Sequence, residues 1–285
     1  MSDQPRSDPI PEGESRDGPL LRRRAGAVLE LILDRPEALN ALNLALEAAL
    51  RRGIRAAGAD AGLRAIVLTG AGRAFSVGVD LKELEADPAG LSGRHWHGPE
   101  SLAEMIRALP QPVIAAVGGP AVTGGLELAL AADFLIASTE ARFADTHALV
   151  GITPSWGLSQ ILPRLIGQNR ARQMSLTGMF IDAARAEAWG LVNEVHPPEA
   201  LLPRARELAA AIAETEPVTM GRVRRLIALA AETGLSAGLA AERVVFDAHI
   251  PSVTPAAIAE RRARVIARGR AQAGRGRSGS GEGGR

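Results

Sequence analysis

Residues Val113 to Ala137, "VIAAVGGPAVTGGLELALAADFLIA", are the most apolar stretch of this chain and constrain its fold more than any other. About 20 consecutive apolar residues would cross a bilayer. Here Pro120, the glycines, Glu127 and Asp133 interrupt the run, so it makes a poor membrane span and reads as buried core. "PVIAAVGG" has the pattern of a strand, and "VTGGLELALAADFLIAS" that of a loop, a helix and a further strand. Strands joined through helices pair in parallel, which points to an α/β fold.

The rest of the first 200 residues agrees. "AVLELILDRP" reads as a strand ended by Pro36, Asn43 to Gly58 as a helix stopped by glycine, and "RAIVLTG" as a short β-branched strand. After "GLVNEVHP" the pattern changes to successive helices over Glu199 to Thr215, Pro217 to Thr233, Ser236 to His249 and Thr254 to about Arg268. These carry apolar faces without a core of their own, so they must pack on the α/β part or on a neighbouring subunit. The expected organisation is a disordered Pro/Ser/Gly-rich segment over 1–20, an α/β core over 21–200, a helical region over 201–270 and a flexible Gly/Arg tail over 271–285.

Composition removes several functions. The net charge of +1 gives no reason to expect nucleic acid, and the arginines after residue 260 read as a solvated run. The absence of cysteine rules out disulfides and thiolate chemistry and suits a cytoplasmic location. The N-terminus lacks the apolar segment of a secretory signal. His95 and His97 flank Trp96 in a stretch that reads as a loop, and His196 and His249 have no second ligand at metal spacing, so no metal is expected. "AVTGGLEL" is neither a dinucleotide fingerprint nor a phosphate loop.

Two segments carry candidate chemistry. "RAFSVGVDLKEL", Arg73 to Leu84, is a small-residue bend after a strand, which is either a plain surface turn or a place where backbone N–H groups stay unpaired in a cleft. In the second, Gly124 and Gly125 sit where a strand gives way to a helix, so their amides belong to the free donors of a helix N-terminus. Glu127 follows in the first helical turn among leucines, where it either helps cap the helix or serves as an acid/base carboxylate. Two backbone donors from separate loops beside a carboxylate would stabilise the enolate oxygen of an activated thioester.

With "FADTHALVGITPSWGLSQILPRLIG" and "TGMFIDAARAEAWGLVNEVH" in order behind them, these segments resemble the crotonase superfamily of enoyl-CoA hydratases and isomerases over roughly residues 25 to 270. The resemblance implies a spiral core of repeated ββα units, a C-terminal helical trimerisation region and an acyl-CoA substrate. It also implies a homotrimer or dimer of trimers, with no membrane or nucleic-acid partner. No resident cofactor is implied, because coenzyme A enters as part of the thioester. The oxyanion-hole N–H groups fall on Val79 and Gly124, and Val79, Asp80, Leu81 and Lys82 would line the acyl-CoA site. Ala38 in "RPEALNAL" would approach the coenzyme, and Phe246 and Arg261 match C-terminal positions that touch it, Arg261 across a subunit boundary.

Glu127 falls on the first of a hydratase's two catalytic glutamates. The second position, by contrast, holds His147. A histidine can do acid or base work, with an ordinary pKa near ~6.5, but it adds an N–H donor where a carboxylate has only acceptors. The bland alternative is a half-buried histidine bonded to Asp145, Thr146 or a backbone carbonyl. If the segment is extended, Asp145 points to the opposite face and is a poor substitute for the missing carboxylate. The leading expectation is an enoyl-CoA hydratase-type lyase with Glu127 and His147 as its catalytic pair. Isomerisation, decarboxylation or hydrolysis of an acyl-CoA and a catalytically weak acyl-CoA binding or scaffold protein are the alternatives.

Overall fold

The computed structural model describes residues 10–86 and 94–278. The chain divides between Gly221 and Arg222 into two compact units. In the first unit, β1 (Gly13–Asp17), β2 (Leu20–Ala25) and β3 (Val28–Leu33) form an antiparallel meander. Helix α1 (Leu44–Ala59) returns the chain to β4 (Ala65–Gly70), which lies parallel to β3. After α2 (Leu81–Ala86) and α3 (Leu102–Arg107) come β5 (Val113–Val117), β6 (Ala121–Val122), α4 (Gly124–Leu130), β7 (Phe134–Ser138) and β8 (Arg142–Ala144). Three helices follow, α5 (His147–Val150), α6 (Leu158–Ile166) and α7 (Gln168–Thr177). The unit then adds β9 (Ile181–Asp182), α8 (Ala183–Trp189), β10 (Val195–His196) and α9 (Pro198–Ala213).

The large sheet has the order β1-β2-β3-β4-β5-β7-β10 and is parallel from β3 onward. A small sheet, β6-β8-β9, is prolonged by bridges between Ser76 and Ala121 and between Leu42 and Val79. Successive turns therefore give one strand to the large sheet, one short strand or bridge to the second layer, and then a helix. This is the repeated ββα spiral that the resemblance implied.

The apolar runs in β4, β5 and β7 follow from cover on both faces of the sheet. On one face α1 buries Leu46, Leu50 and Ile54, spaced four apart, and Asn43 caps that helix by accepting the Leu46 N–H at 2.9 Å. On the other face Leu201, Ala205 and Ala209 of α9 pack on Ala65, Val67, Ile114, Ala116 and Ile136. Burying Leu201 alone is worth about 1.5–3 kcal/mol. Thus α9 is part of the α/β core, and the boundary expected near residue 200 falls instead after Gly221. The two-sided demand of a parallel sheet explains the difference, because α9 supplies its second cover.

The N-terminal expectation also needs correction. Residues 13–17 form an edge strand and Ile10 is buried, so disorder does not extend to residue 20. Polar composition is compatible with an edge strand whose charges pair across to its neighbour, as Glu14 does with Arg23 at 2.9 Å. The Ile10 N–H is held by Asp60 at 3.0 Å, and Asp60 also pairs with Arg24 at 2.6 Å.

The second unit contains the end of α10 (Pro217–Leu229), α11 (Leu235–His249) and α12 (Pro255–Ser278). Helix α12 runs past Arg268 to Ser278, beyond the expected start of the flexible tail, because the Arg and Ala residues of the run favour helix. None of the described side chains of this unit is buried, and Leu235, Val244, Phe246, Ile258 and Val265 are exposed. The remaining parts of the expected disordered ends, 1–9 and 279–285, lie outside the described residues. No helix among the described residues is long and apolar enough to cross a membrane.

Candidate active site

The site is assembled where the second layer of short strands meets the N-termini of the helices. The parallel bridge at Leu42 uses the Gly78 carbonyl, which accepts the Leu42 N–H at 2.8 Å, and the Asp80 N–H, which donates to the Leu42 carbonyl at 3.1 Å. The intervening Val79 N–H therefore points away from Leu42. The Gly124 N–H heads α4 and is an orphan donor for the same reason that any first-turn amide is. Neither of these two groups donates to another among the described residues. Both residues line one cleft of about 530 Å³, open to solvent.

Close backbone approach explains the glycines here. A Cβ on Gly125 would lie 2.0 Å from the Ser76 carbonyl oxygen, and one on Gly78, whose φ is +89°, would lie 3.0 Å from the Gly124 nitrogen. Thr123, just before Gly124, holds φ 53° and ψ −116°, a strained conformation for a β-branched residue. It is fixed from both sides, by its N–H donating to the Ala144 carbonyl at 2.9 Å and by its hydroxyl, 2.5 Å from that of Thr146.

Glu127 is 2 % exposed, and its Oε1 accepts the Trp156 N–H at 2.8 Å and the Leu158 N–H at 3.3 Å. Its other oxygen, Oε2, lies 3.5 Å from His147 Nε2. His147 is itself buried, and its Nδ1 lies 2.7 Å from Asp145 Oδ1. Asp145, Glu127 and the imidazole thus form one chain. Burial pushes the imidazole down, yet the hydrogen bonds and charges of Asp145 and Glu127 outweigh it and raise its pKa to about 9. Burial pushes the Asp145 carboxyl up, but His147 and Ser175 hydrogen bonds leave it net lowered.

Asp145 therefore faces the same way as His147, against the alternation expected of an extended segment. The strand β8 ends at Ala144, and α5 begins at His147. Once the strand has ended, residues two apart need not share or oppose a face, and the Asp145 carboxylate turns back to accept the His147 N–H at 3.2 Å. Of the hydrogen-bond partners the sequence offers for His147, namely Asp145, Thr146 or a backbone carbonyl, the imidazole takes Asp145. Trp156 was missed, although its backbone N–H anchors Glu127 and its ring walls the cleft.

Of the other expected residues, Val79, Leu81 and Gly124 line the cleft with Glu127 and His147, whereas Ala38, Asp80 and Lys82 do not. Asp80 is ion-paired to Arg35 at 3.0 Å, and Lys82 is exposed. Phe246 and Arg261 belong to the second unit and stand exposed on α11 and α12. His95 and His97 are exposed, and no cluster of three metal-ligating side chains occurs among the described residues.

The spiral of ββα turns thus brings two amides, unpartnered among the described residues, and one buried carboxylate to a single cleft, as in an enzyme of the fold's class. The comparisons name the family. The model of the enoyl-CoA hydratase/isomerase family matches residues 23–263, and the chain belongs to that family. It is 37% identical over 234 residues to the probable enoyl-CoA hydratase 1, peroxisomal, of Arabidopsis thaliana, covering 82% of this chain and 87% of that one. It is 34% identical over 222 residues to the 1,2-epoxyphenylacetyl-CoA isomerase of Escherichia coli (strain K12), covering 76% and 84%. The crystal structure of an enoyl-CoA hydratase from Bacillus anthracis superimposes with a TM-score of 0.80 at 32% identity, covering 87% of this chain and 96% of that one.

Proposed function

We propose that the chain is an enoyl-CoA hydratase-type lyase in which Glu127 acts as base and His147, as imidazolium, acts as acid. The observation that carries this reading is the Asp145–His147–Glu127 chain, which keeps His147 protonated at neutral pH. The Val79 and Gly124 N–H groups would hold the thioester oxygen as it gains negative charge; a single donor of this kind is typically worth ~10²–10³ in rate. Glu127 takes a proton from water as the water oxygen bonds to Cβ, and the Cα–Cβ double-bond electrons move onto the thioester as an enolate. The enolate Cα then takes the proton from His147 Nε2. A proton passed from Glu127 to His147 across their 3.5 Å contact restores both groups. Asp145, holding Nδ1, keeps Nε2 as the face that gives and receives the proton.

The cleft's side chains other than Glu127 and His147 are apolar or hydroxylic, among them Val77, Leu81, Trp96, Ile152 and Trp156, which suits an uncharged acyl group. The resemblance assigns coenzyme contacts to Ala38, the Val79 to Lys82 segment, Phe246 and Arg261, the last from a neighbouring subunit. A homotrimer or dimer of trimers would cover the exposed apolar residues of the second unit. Coenzyme A enters as substrate, with no resident cofactor, and the cysteine-free sequence suits a reducing compartment such as the cytoplasm. Isomerisation is the second reading, because a Glu–His pair in contact can move a proton between two carbons of one acyl chain.

Mass spectrometry of a panel of CoA thioesters tests this without assuming a reaction. Hydration adds one water to enoyl-CoA and releases no free coenzyme. A moved double bond at constant mass would replace hydration by isomerisation, free coenzyme would indicate hydrolysis, and loss of carbon dioxide decarboxylation. Tight binding with no turnover of any thioester would leave the scaffold reading.

A further inference from the structure

Beside Leu42 lies a set of largely buried charged side chains that the chemistry above does not use. The guanidinium of Arg94 is almost wholly buried, with 2% of its side chain exposed, and it donates to the carboxylates of Glu47 and Glu83. The same Nη1 also donates to the Leu42 carbonyl at 3.1 Å. Glu47 is 1% exposed and has Arg51 as a second partner at 3.4 Å. Glu83, in α2, additionally accepts the Leu44 N–H at 3.0 Å. Four charges, two of each sign, are thus gathered between the start of α1 and the start of α2.

The position of this cluster relative to Val79 gives it meaning. The Leu42 carbonyl that Arg94 holds is the one that accepts the Asp80 N–H, and the Leu42 N–H holds the Gly78 carbonyl. Both peptide groups that flank Val79 therefore hang on Leu42. On the downstream side, Glu83 of α2, which begins two residues after Val79, is held by the same guanidinium. Arg94 also stacks over Trp96 at 5.9 Å from the ring centroid, and Trp96 walls the cleft. A simple surface salt bridge would show none of this convergence.

We propose that Arg94 is a positioning residue for the oxyanion hole, setting the direction of the Val79 N–H through Leu42 and Glu83. It touches no reacting atom. Its effect is on where one donor points, and a donor aimed at an oxyanion tolerates little displacement. The inference rests on the reading of Val79 and Gly124 as oxyanion donors, and the test separates the two.

The affinity of the purified protein is measured for a saturated acyl-CoA thioester and for the matching thioether, in which a methylene replaces the carbonyl. Only the thioester can use the Val79 and Gly124 donors. The native protein is expected to prefer the thioester, and Arg94→Met to shrink that preference about tenfold with thioether affinity kept. Arg94→Lys, which keeps the charge but loses the fork, is expected to fall between them. Glu83→Ala leaves the buried Arg94–Glu47 pair in place and removes the α2 anchor together with the acceptor of the Leu44 N–H. It is expected to shrink the preference in the same direction, and it reads the proposal should Arg94→Met not fold. A folded Arg94→Met with its preference intact overturns the proposal, as does an equal loss for both ligands, which marks a general structural role. If Arg94→Met does not fold, an unchanged preference in Glu83→Ala overturns it. No preference in the native protein overturns the oxyanion reading itself.

Discussion

The two walls of the cleft are built differently. Gly124 to Glu127 is a rigid wall: a helix N-terminus in which backbone contact forces Gly125, and a carboxylate pinned by the Trp156 and Leu158 amides. Asp145 to His147 is a wall of side-chain electrostatics, where an imidazole is held between two carboxylates at the junction of β8 and the one-turn α5. The Thr123–Thr146 hydroxyl contact laces them together, one residue before Gly124 on one side and one before His147 on the other. The first wall fixes position by covalent geometry, and the second fixes a protonation state. The proposed reaction, which needs a base and an acid in contact, would take one from each.

Substitutions that break one wall at a time sharpen this contrast. The largest effect is expected for Glu127→Gln, which keeps both amide contacts to a side-chain oxygen but removes the base. Hydration of crotonyl-CoA, followed by loss of enoyl-thioester absorbance, should fall by ~10²–10⁴ with acyl-CoA binding retained. Unchanged turnover would remove Glu127 from the chemistry. His147→Ala should cost on the order of 10². A loss below tenfold, about 1.4 kcal/mol of barrier, would make the histidine a bystander that only fills its niche.

Asp145→Asn should act more gently and through pH. The native rate is expected to decline as pH rises through about 9, where His147 gives up its proton. Without the Asp145 charge that alkaline limb moves to lower pH, so the rate at pH 8 drops several-fold while the rate near pH 6 changes little. An unmoved limb would mean that Asp145 does not set the imidazole's state. The smallest effect is on stability. The folded pKa of His147 lies above its unfolded value near ~6.5, so its stabilising contribution is complete below that pH and is lost as pH rises through about 9. Thermal melts of native protein and His147→Ala at pH 6 and pH 9.5 should therefore converge at the higher pH.

Much of the first wall was legible in the chain. "VTGGLELAL" carries a strand end, two glycines and a first-turn acid, and helix geometry then dictates where the free amides and Glu127 sit. The second wall was legible only as an odd residue. His147 was visible and Asp145 stood among its possible partners, but an extended segment would turn Asp145 to the opposite face, and the sequence does not mark that β8 ends at Ala144. The same kind of gap set the core boundary near residue 200. The helix at Pro198–Ala213 was foreseen as a helix, whereas its docking on the far face of the sheet depends on strands 60 to 140 residues away.

Local and periodic features follow from the chain alone: the parallel α/β strands, the glycine-headed helix with its acid, and the spacing of motifs that marks the family. Which groups share a cleft, and in which ionisation state, emerges from the folded arrangement. Hydrophobic period and cap signals act within one or two turns of chain. The pKa of His147, the direction of the Val79 amide and the burial of Arg94 are instead set by groups brought together from distant segments, such as Glu127 on His147 and Glu47 on Arg94.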